Sequence, residues 1–285
     1  MELTEALLAE DAAMAVVGAG GKKTTMYALS SRLDRPVLTA SVRIPIFDPH
    51  VSTVATTDDP VGRLADASPG EFPLGLIRER ENGREDRYLG YDHEVVASIV
   101  DAHRDQGSVL IKADGARMRE FKAPGEAEPQ IPENVDVVVP IASVSVVGES
   151  LSSGLVHRPE RVLEVARAAG IDLAIDDPVT PEVVAAVLAS DRGGLKNVPE
   201  EARVVPLLNK VDDDEDAALA REIAGAFIER FEQRRATHRT TNHANPENGM
   251  SVPAVPHVVL GRLIDGVVVD VVPVDGEIPD GGSGA

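Results

Sequence analysis

Ala12-Ala13-Met14-Ala15-Val16-Val17-Gly18-Ala19-Gly20-Gly21-Lys22-Lys23-Thr24-Thr25-Met26 is the stretch whose reading sets the fold. The apolar run from Ala12 to Val17 stops at Gly18, and Thr24 to Leu33 then places Met26, Leu29 and Leu33 at i, i+3 and i+7. An apolar run, a glycine cluster and a helical period read as strand, turn and helix. In that context backbone N–H groups and a helix N-terminus hold phosphate oxygens. Gly18, Gly20, Gly21, Lys22, Lys23, Thr24 and Thr25 are therefore candidate nucleotide-binding residues. The match to a Walker A loop is not strict. With Gly21-Lys22 as its central pair the first glycine would fall at Val16, and Lys23 fills the Ser/Thr slot. Thr24 or Thr25 is left to face a Mg²⁺ ion. A glycine turn that only packs helix on strand is the plainer alternative, but it gives paired lysines no packing role.

Two further strand ends carry chemistry. Ser108 to Ala113 reads as a buried strand ending in Asp114-Gly115-Ala116, and ligands of open α/β sheets bind at the carboxyl edge of the strands. Asp114 is thus a candidate catalytic residue beside Lys22 and, with Thr24, a candidate Mg²⁺ ligand; a strand-end Asp is also an ordinary turn former. The apolar run Val204 to Leu208 feeds into Asn209-Lys210-Val211-Asp212, which reads as the Asn-Lys-x-Asp box of GTP-binding proteins. In that pattern the Asp accepts from guanine N1 and N2 hydrogens, so Asn209, Lys210 and Asp212 are candidate base-reading residues, within an acidic run that is equally a solvated surface.

The remaining pattern completes an α/β chain. Strands are expected at Pro36–Ser41 and Val135–Ile141, helices at His93–Ala102, after Pro159 and from Pro181 through Leu188, and a helix from Asp216 with Ile223, Phe227 and Phe231 on one stripe. Arg43–Asp59 reads as a loop, Phe72–Tyr91 as an antiparallel strand pair, and Thr237–Pro253 as a polar surface loop in which His238 and His243 are solvated. Val255–Leu260 and Leu263–Val272 read as two strands joined by a short turn. The expected architecture is a P-loop NTPase-like three-layer sandwich over residues 1–275, with a mostly parallel central sheet, a C-terminal antiparallel strand pair and a flexible tail at 276–285.

Composition narrows the function classes. Forty-eight acidic against 28 basic residues give a formal charge of −20, dispersed along the 285 residues. This disfavours nucleic-acid binding driven by general electrostatics and suits a protein working in concentrated salt, where charges are screened. The absence of cysteine excludes disulfides, thiolate metal sites and cysteine nucleophiles. Acidic residues follow Met1 directly and no apolar run approaches a membrane span, so a cytoplasmic location is expected. Only six of the positive residues are lysines, at 22, 23, 112, 122, 196 and 210. A lysine retained in an arginine-using chain is a candidate for work that needs a compact, mobile ammonium.

Several segments, in order, resemble the YqeC family, described as accessory proteins for selenium-dependent molybdenum hydroxylases. They are Gly18-Ala19-Gly20-Gly21-Lys22, Ala113-Asp114-Gly115-Ala116, Phe121-Lys122-Ala123-Pro124 with Glu126, Glu128-Pro129 and Ile131-Pro132, Val156-His157-Arg158-Pro159-Glu160, Gly194-Leu195-Lys196-Asn197, and Val205-Pro206-Leu207-Leu208-Asn209-Lys210-Val211-Asp212. Together they span roughly residues 14 to 212. The resemblance implies a P-loop-like fold and a role in maturing a molybdenum or selenium cofactor. Two departures stand out: Lys23 where a Thr or Ser is expected, and Ala40-Ser41-Val42-Arg43 in place of a Thr-rich run after the second strand.

Lys122, Glu128, His157 and Arg158 are candidate substrate-binding residues, since an arginine and a titratable histidine ahead of a helix start can hold an acidic cofactor or phosphate. An exposed ion pair and a helix entry at Pro159 explain the same residues without a ligand. Three functions follow. The first is a Mg²⁺-dependent, GTP-leaning NTPase or transferase, using GTP or ATP, that assists a molybdenum hydroxylase. The second is a nucleotide-sensing chaperone of such an enzyme with no turnover, and the third a small-molecule kinase or ligase.

Overall fold

A computed structural model describes residues 1–244 and 252–275. At its centre lies a mixed sheet with the strand order Val267–Pro273, His257–Arg262, Leu207–Asn209, Val137–Ser143, Ala13–Gly18, Val109–Lys112, Val37–Ala40, Leu74–Ile77, Thr53–Thr56. Every pairing along this path is parallel except the last hairpin, His257–Arg262 with Val267–Pro273. The mostly parallel sheet and its antiparallel C-terminal pair are those expected from the sequence.

Ala13–Gly18 can be central because both its faces are apolar. Ala13, Ala15 and Val17 enter one core, with Ile99 of the His93–His103 helix and Ile223 and Phe227 of the Asp214–Ala244 helix. Met14 and Val16 enter the other, with Met26 and Leu29 of the Lys22–Ser30 helix. Buried on two faces, such a strand reads as a continuous apolar run without polar alternation. Each fully buried Val, Leu, Ile, Met or Phe side chain contributes roughly 1.5–3 kcal/mol.

Topology then dictates where the site lies. Val109–Lys112 and Val137–Ser143 flank Ala13–Gly18 on its two sides, both parallel to it. The chain between them must leave one carboxyl end, pass the turn after Gly18 and return to the opposite edge. Asp114, Arg119 and Glu120 of that segment therefore crowd the glycine turn, and its Phe121–Lys122 strand pairs with Val156–His157 there, before the chain returns to the amino end of Ala13–Gly18, where Asp136 accepts the Ala13 N–H.

Four expectations need correction. The Arg43–Asp59 stretch is not a plain loop: it contains Ile44–Pro45, a 3₁₀ turn at Asp48–His50 and the sheet strand Thr53–Thr56. Phe72–Tyr91 is divided, because Leu74–Ile77 is buried within the parallel sheet while only Glu79–Arg80 and Arg87–Leu89 pair antiparallel. Val204–Leu208 is interrupted at Val205-Pro206, where proline has no N–H to give a ladder. Arg203–Val204 and Leu207–Asn209 both pair with Val137–Ser143 on either side of that break. The last long helix begins at Asp214 and continues to Ala244, so Thr237–Ala244 is helical, not a loop. His238 is half-buried on it. The side chain of His243, residues 245–251 and the 276–285 tail lie outside the described residues.

Candidate functional site at the glycine turn

Ala13–Gly18 ends where its backbone turns left-handed: Gly18, Gly20 and Gly21 have φ of 87°, 88° and 142°. A side chain at Gly18 would meet the Ile141 carbonyl at 2.3 Å, and one at Gly21 would meet Asn209 Nδ2 at 2.1 Å. These glycines are required both by conformation and by close approach.

The Lys22–Ser30 helix starts at once, and no side chain caps it. Its first turn holds Lys22 and Lys23 and no acidic residue. Helices starting near Glu94, Glu160, Glu182 and Asp214 carry carboxylates there, as the positive end of a helix dipole favours. Here two cations are added to that positive end. Thr25 is buried, with its hydroxyl donating to the Gly21 carbonyl at 3.1 Å, whereas Thr24 is partly accessible.

Asp114 fixes the Gly18 end. Its Oδ2 accepts the Gly18 N–H at 2.8 Å and lies 2.9 Å from the Lys122 ammonium, while its Oδ1 is 2.8 Å from Lys22 Nζ. Lys22 also donates to the Gly18 carbonyl. Burial opposes ionisation of Asp114, but Lys22 and Lys122 outweigh it and hold the carboxyl below its usual range. Burial, partly offset by Asp114, lowers Lys22. Lys122 continues the chain outward, donating to the Gly115 carbonyl at 2.6 Å and to Glu128 Oε2 at 3.0 Å, and Arg158 meets that same oxygen at 2.6 Å. For Glu128 burial is again overcome, by Lys122 and Arg158, and its carboxyl falls to about 2. His157 sits beside Lys122 in the strand pair, and burial with Arg158 and Lys122 nearby pushes its imidazole below the ordinary value.

Asn209 fixes the other end. Its Nδ2 donates to the Gly20 carbonyl at 2.7 Å and its Oδ1 accepts the Leu263 N–H at 3.0 Å. The side chain is buried and its amide is used within the protein. Lys210 pairs with Glu120 at 2.7 Å, and the Gly20 N–H donates to the Arg119 carbonyl at 2.9 Å, so residues 119–120 lean on the turn. Asp212 is exposed, and its carboxylate takes no hydrogen bond among the described residues.

The structure thus brings Gly18, Gly20, Gly21, Lys22, Asp114, Lys122, Glu128, His157 and Arg158 into one connected cluster, with Asn209 braced against it. Asp212 stands outside that cluster. Lys112 was given no role by the motifs: it is buried, donates to the Arg43 carbonyl at 2.7 Å, and is lowered to about 7 by burial and then by Lys22. The scarcity of lysine was the signal for it, since Lys22, Lys112 and Lys122 are all buried. A cavity of about 20 Å³ borders Gly18, Asp114 and Lys122. It has room for about one water molecule, so a larger ligand would have to sit outside the turn. Among the described residues no group of three or more His, Asp or Glu is placed to hold a metal ion, and no helix is long and apolar enough to cross a membrane.

Comparison with known proteins decides the family. The YqeC protein family matches residues 14–160, which hold the glycine turn, Asp114, Lys122, Glu128 and Arg158. The chain belongs to the YqeC family. It is also similar to the uncharacterized protein YqeC of Escherichia coli strain K12, 26% identical over 214 residues, covering 74% of this chain and 80% of the relative.

Proposed function

We propose that this YqeC-family chain is a nucleotide-binding protein with a P-loop-like turn at Gly18–Thr25, and that it acts as a cytoplasmic NTPase or nucleotide-dependent transferase. The observation that carries the reading is the uncapped N-terminus of the Lys22–Ser30 helix, loaded with Lys22 and Lys23 at the carboxyl edge of the central strand. Free N–H groups, a helix dipole and two ammonium groups converge there, and the first need of such a place is an anion. Lys23, partly accessible, would neutralise phosphate charge directly. Lys22 would do so by exchanging its Gly18 and Asp114 contacts for a phosphate oxygen.

A Mg²⁺ ion bound with the nucleotide would supply further charge neutralisation at the β- and γ-phosphates, with the Thr24 hydroxyl the available protein ligand. Both Asp114 oxygens already face ammonium groups. Its part in that arrangement would be to orient Lys22 and Lys122. For the base, the exposed Asp212 carboxylate is the group left to read guanine, because the Asn209 amide is used on Gly20 and Leu263. The setting proposed for the activity, maturation of a molybdenum or selenium hydroxylase cofactor, rests on the family resemblance.

Calorimetric titration with GTP and with ATP, each with Mg²⁺ in molar KCl, tests this. Binding that prefers GTP, is lost in Lys22→Ala and loses its base preference in Asp212→Asn is expected. No binding of either nucleotide overturns the reading, and an unchanged GTP/ATP ratio in Asp212→Asn removes the guanine assignment.

A further inference from the structure

Beyond Glu128 the surface opens into a groove of about 340 Å³, bounded by Pro124, Glu126, Arg161, Glu164, Arg192 and Lys196. Its size falls in the range of small-molecule sites. In a chain of formal charge −20 it gathers three cations against two carboxylates. The scarcer charge is concentrated here.

The carboxylates are loosely placed competitors. Glu126 meets Arg161 at 3.5 Å with its side chain 92% exposed, and Glu164 meets Arg192 at 3.1 Å with both side chains more than half exposed. Pairs of this kind contribute about 0–1 kcal/mol, so an anion that engages both guanidinium groups can displace them. Lys196 is held differently. Its ammonium donates to the Gly125 and Glu126 carbonyls at 2.5 and 2.8 Å, which leaves one of its three hydrogens for a ligand. The carbonyls therefore position the ammonium without neutralising it.

The groove also touches the cluster at the glycine turn. Pro124 lines both the groove and the small cavity beside Gly18 and Asp114. Gly125 offers its carbonyl to Lys196 and its N–H to Glu128, whose carboxylate holds Lys122 and Arg158. One turn of chain separates the two places.

We infer that this groove binds a small molecule bearing a phosphate or carboxylate group, held by Arg161, Arg192 and Lys196. The site stands whether or not a nucleotide binds at Gly18–Thr25; if one does, the groove is the seat of the anionic acceptor. Guanidinium groups suit either anion because their paired N–H donors match two oxygens.

The test titrates the intact protein with inorganic phosphate and with citrate at about 0.1 M ionic strength, where charges separated by less than roughly 10 Å still interact. Saturable binding of at least one probe is expected, and the tighter one assigns the anion. An Arg161→Ala/Arg192→Ala double variant should weaken it at least about tenfold, as loss of charge-assisted bonds predicts, while Glu126→Gln/Glu164→Gln should tighten it. GTP titrations should be unaltered in both variants. Saturable binding of neither probe overturns the inference. So does affinity that survives the arginine substitutions, or that disappears in Lys22→Ala while surviving them, since the anion would then sit at the glycine turn. Failure of GTP to bind, with the probe results as expected, would overturn the nucleotide reading alone.

Discussion

At its Gly18 end the glycine turn is held by ions, and at its Gly20 end by a neutral amide. Asp114 bonds the Gly18 N–H and is flanked by Lys22 and Lys122, all three side chains nearly out of solvent. Asn209 makes its two bonds, to Gly20 and Leu263, with no net charge. The two anchors are equivalent as geometry and opposite as electrostatics. An ionic anchor can change hands when a charged ligand arrives, because its lysines have another anion to choose. An amide anchor has no such alternative and keeps the backbone in place during the exchange.

The largest expected effect comes from breaking the ionic anchor. Asp114→Ala leaves the buried Lys22 ammonium without a carboxylate and Lys122 with Glu128 alone, and a loss of roughly 3–5 kcal/mol is expected in urea unfolding. Asn209→Ala strands the Gly20 carbonyl and the Leu263 N–H, with an expected loss of about 1–3 kcal/mol. If the amide variant proved the more damaging, the division of labour would be reversed. The double variant sharpens the comparison: both anchors serve one turn, so their effects should depart from additivity by about 0.5–3 kcal/mol.

Acid separates the anchors further. The Glu128 carboxyl is depressed to about 2 from an ordinary 4.5, burial being overcome by Lys122 and Arg158. The folded protein therefore takes up that proton less readily than the unfolded chain. The contribution is complete above about 4.5 and drains away as pH falls toward 2. Stability measured across that window should fall less steeply in Glu128→Gln, whereas Asn209→Ala should leave the slope unchanged. The smallest effect is expected for Lys23→Ala. It forms no ion pair among the described residues, so stability should move by no more than about 0.5 kcal/mol while nucleotide affinity drops.

Much of this could be read before any coordinates. The apolar run before Gly18 and the period after it predict strand, turn and helix, and Asp114 at a strand end reads as a neighbour of that turn. Those signals are local. Other features were hidden because they depend on contacts distant in sequence. Leu74–Ile77 reads like one half of a hairpin, and only its burial between two parallel neighbours assigns it to the main sheet. Asn209 was legible as a candidate base-reading residue of an Asn-Lys-x-Asp box, but its amide braces Gly20, a relation spanning 189 positions. Lys112 is marked in the sequence only by the scarcity of lysine, and its shift follows from burial and then from Lys22. Arg161 and Arg192 carry no motif at all; the fold alone brings them to one groove.

The amide brace also sets an order of events during synthesis. Gly20 is made first, its brace Asn209 comes 189 residues later, and Leu263, which holds that brace, follows by a further 54. At about 5–20 residues per second the turn waits roughly ten to forty seconds for Asn209 alone. A nascent chain thus carries its glycine turn and two lysines long before the backbone around them is locked. The site becomes complete only when the C-terminal hairpin has been made.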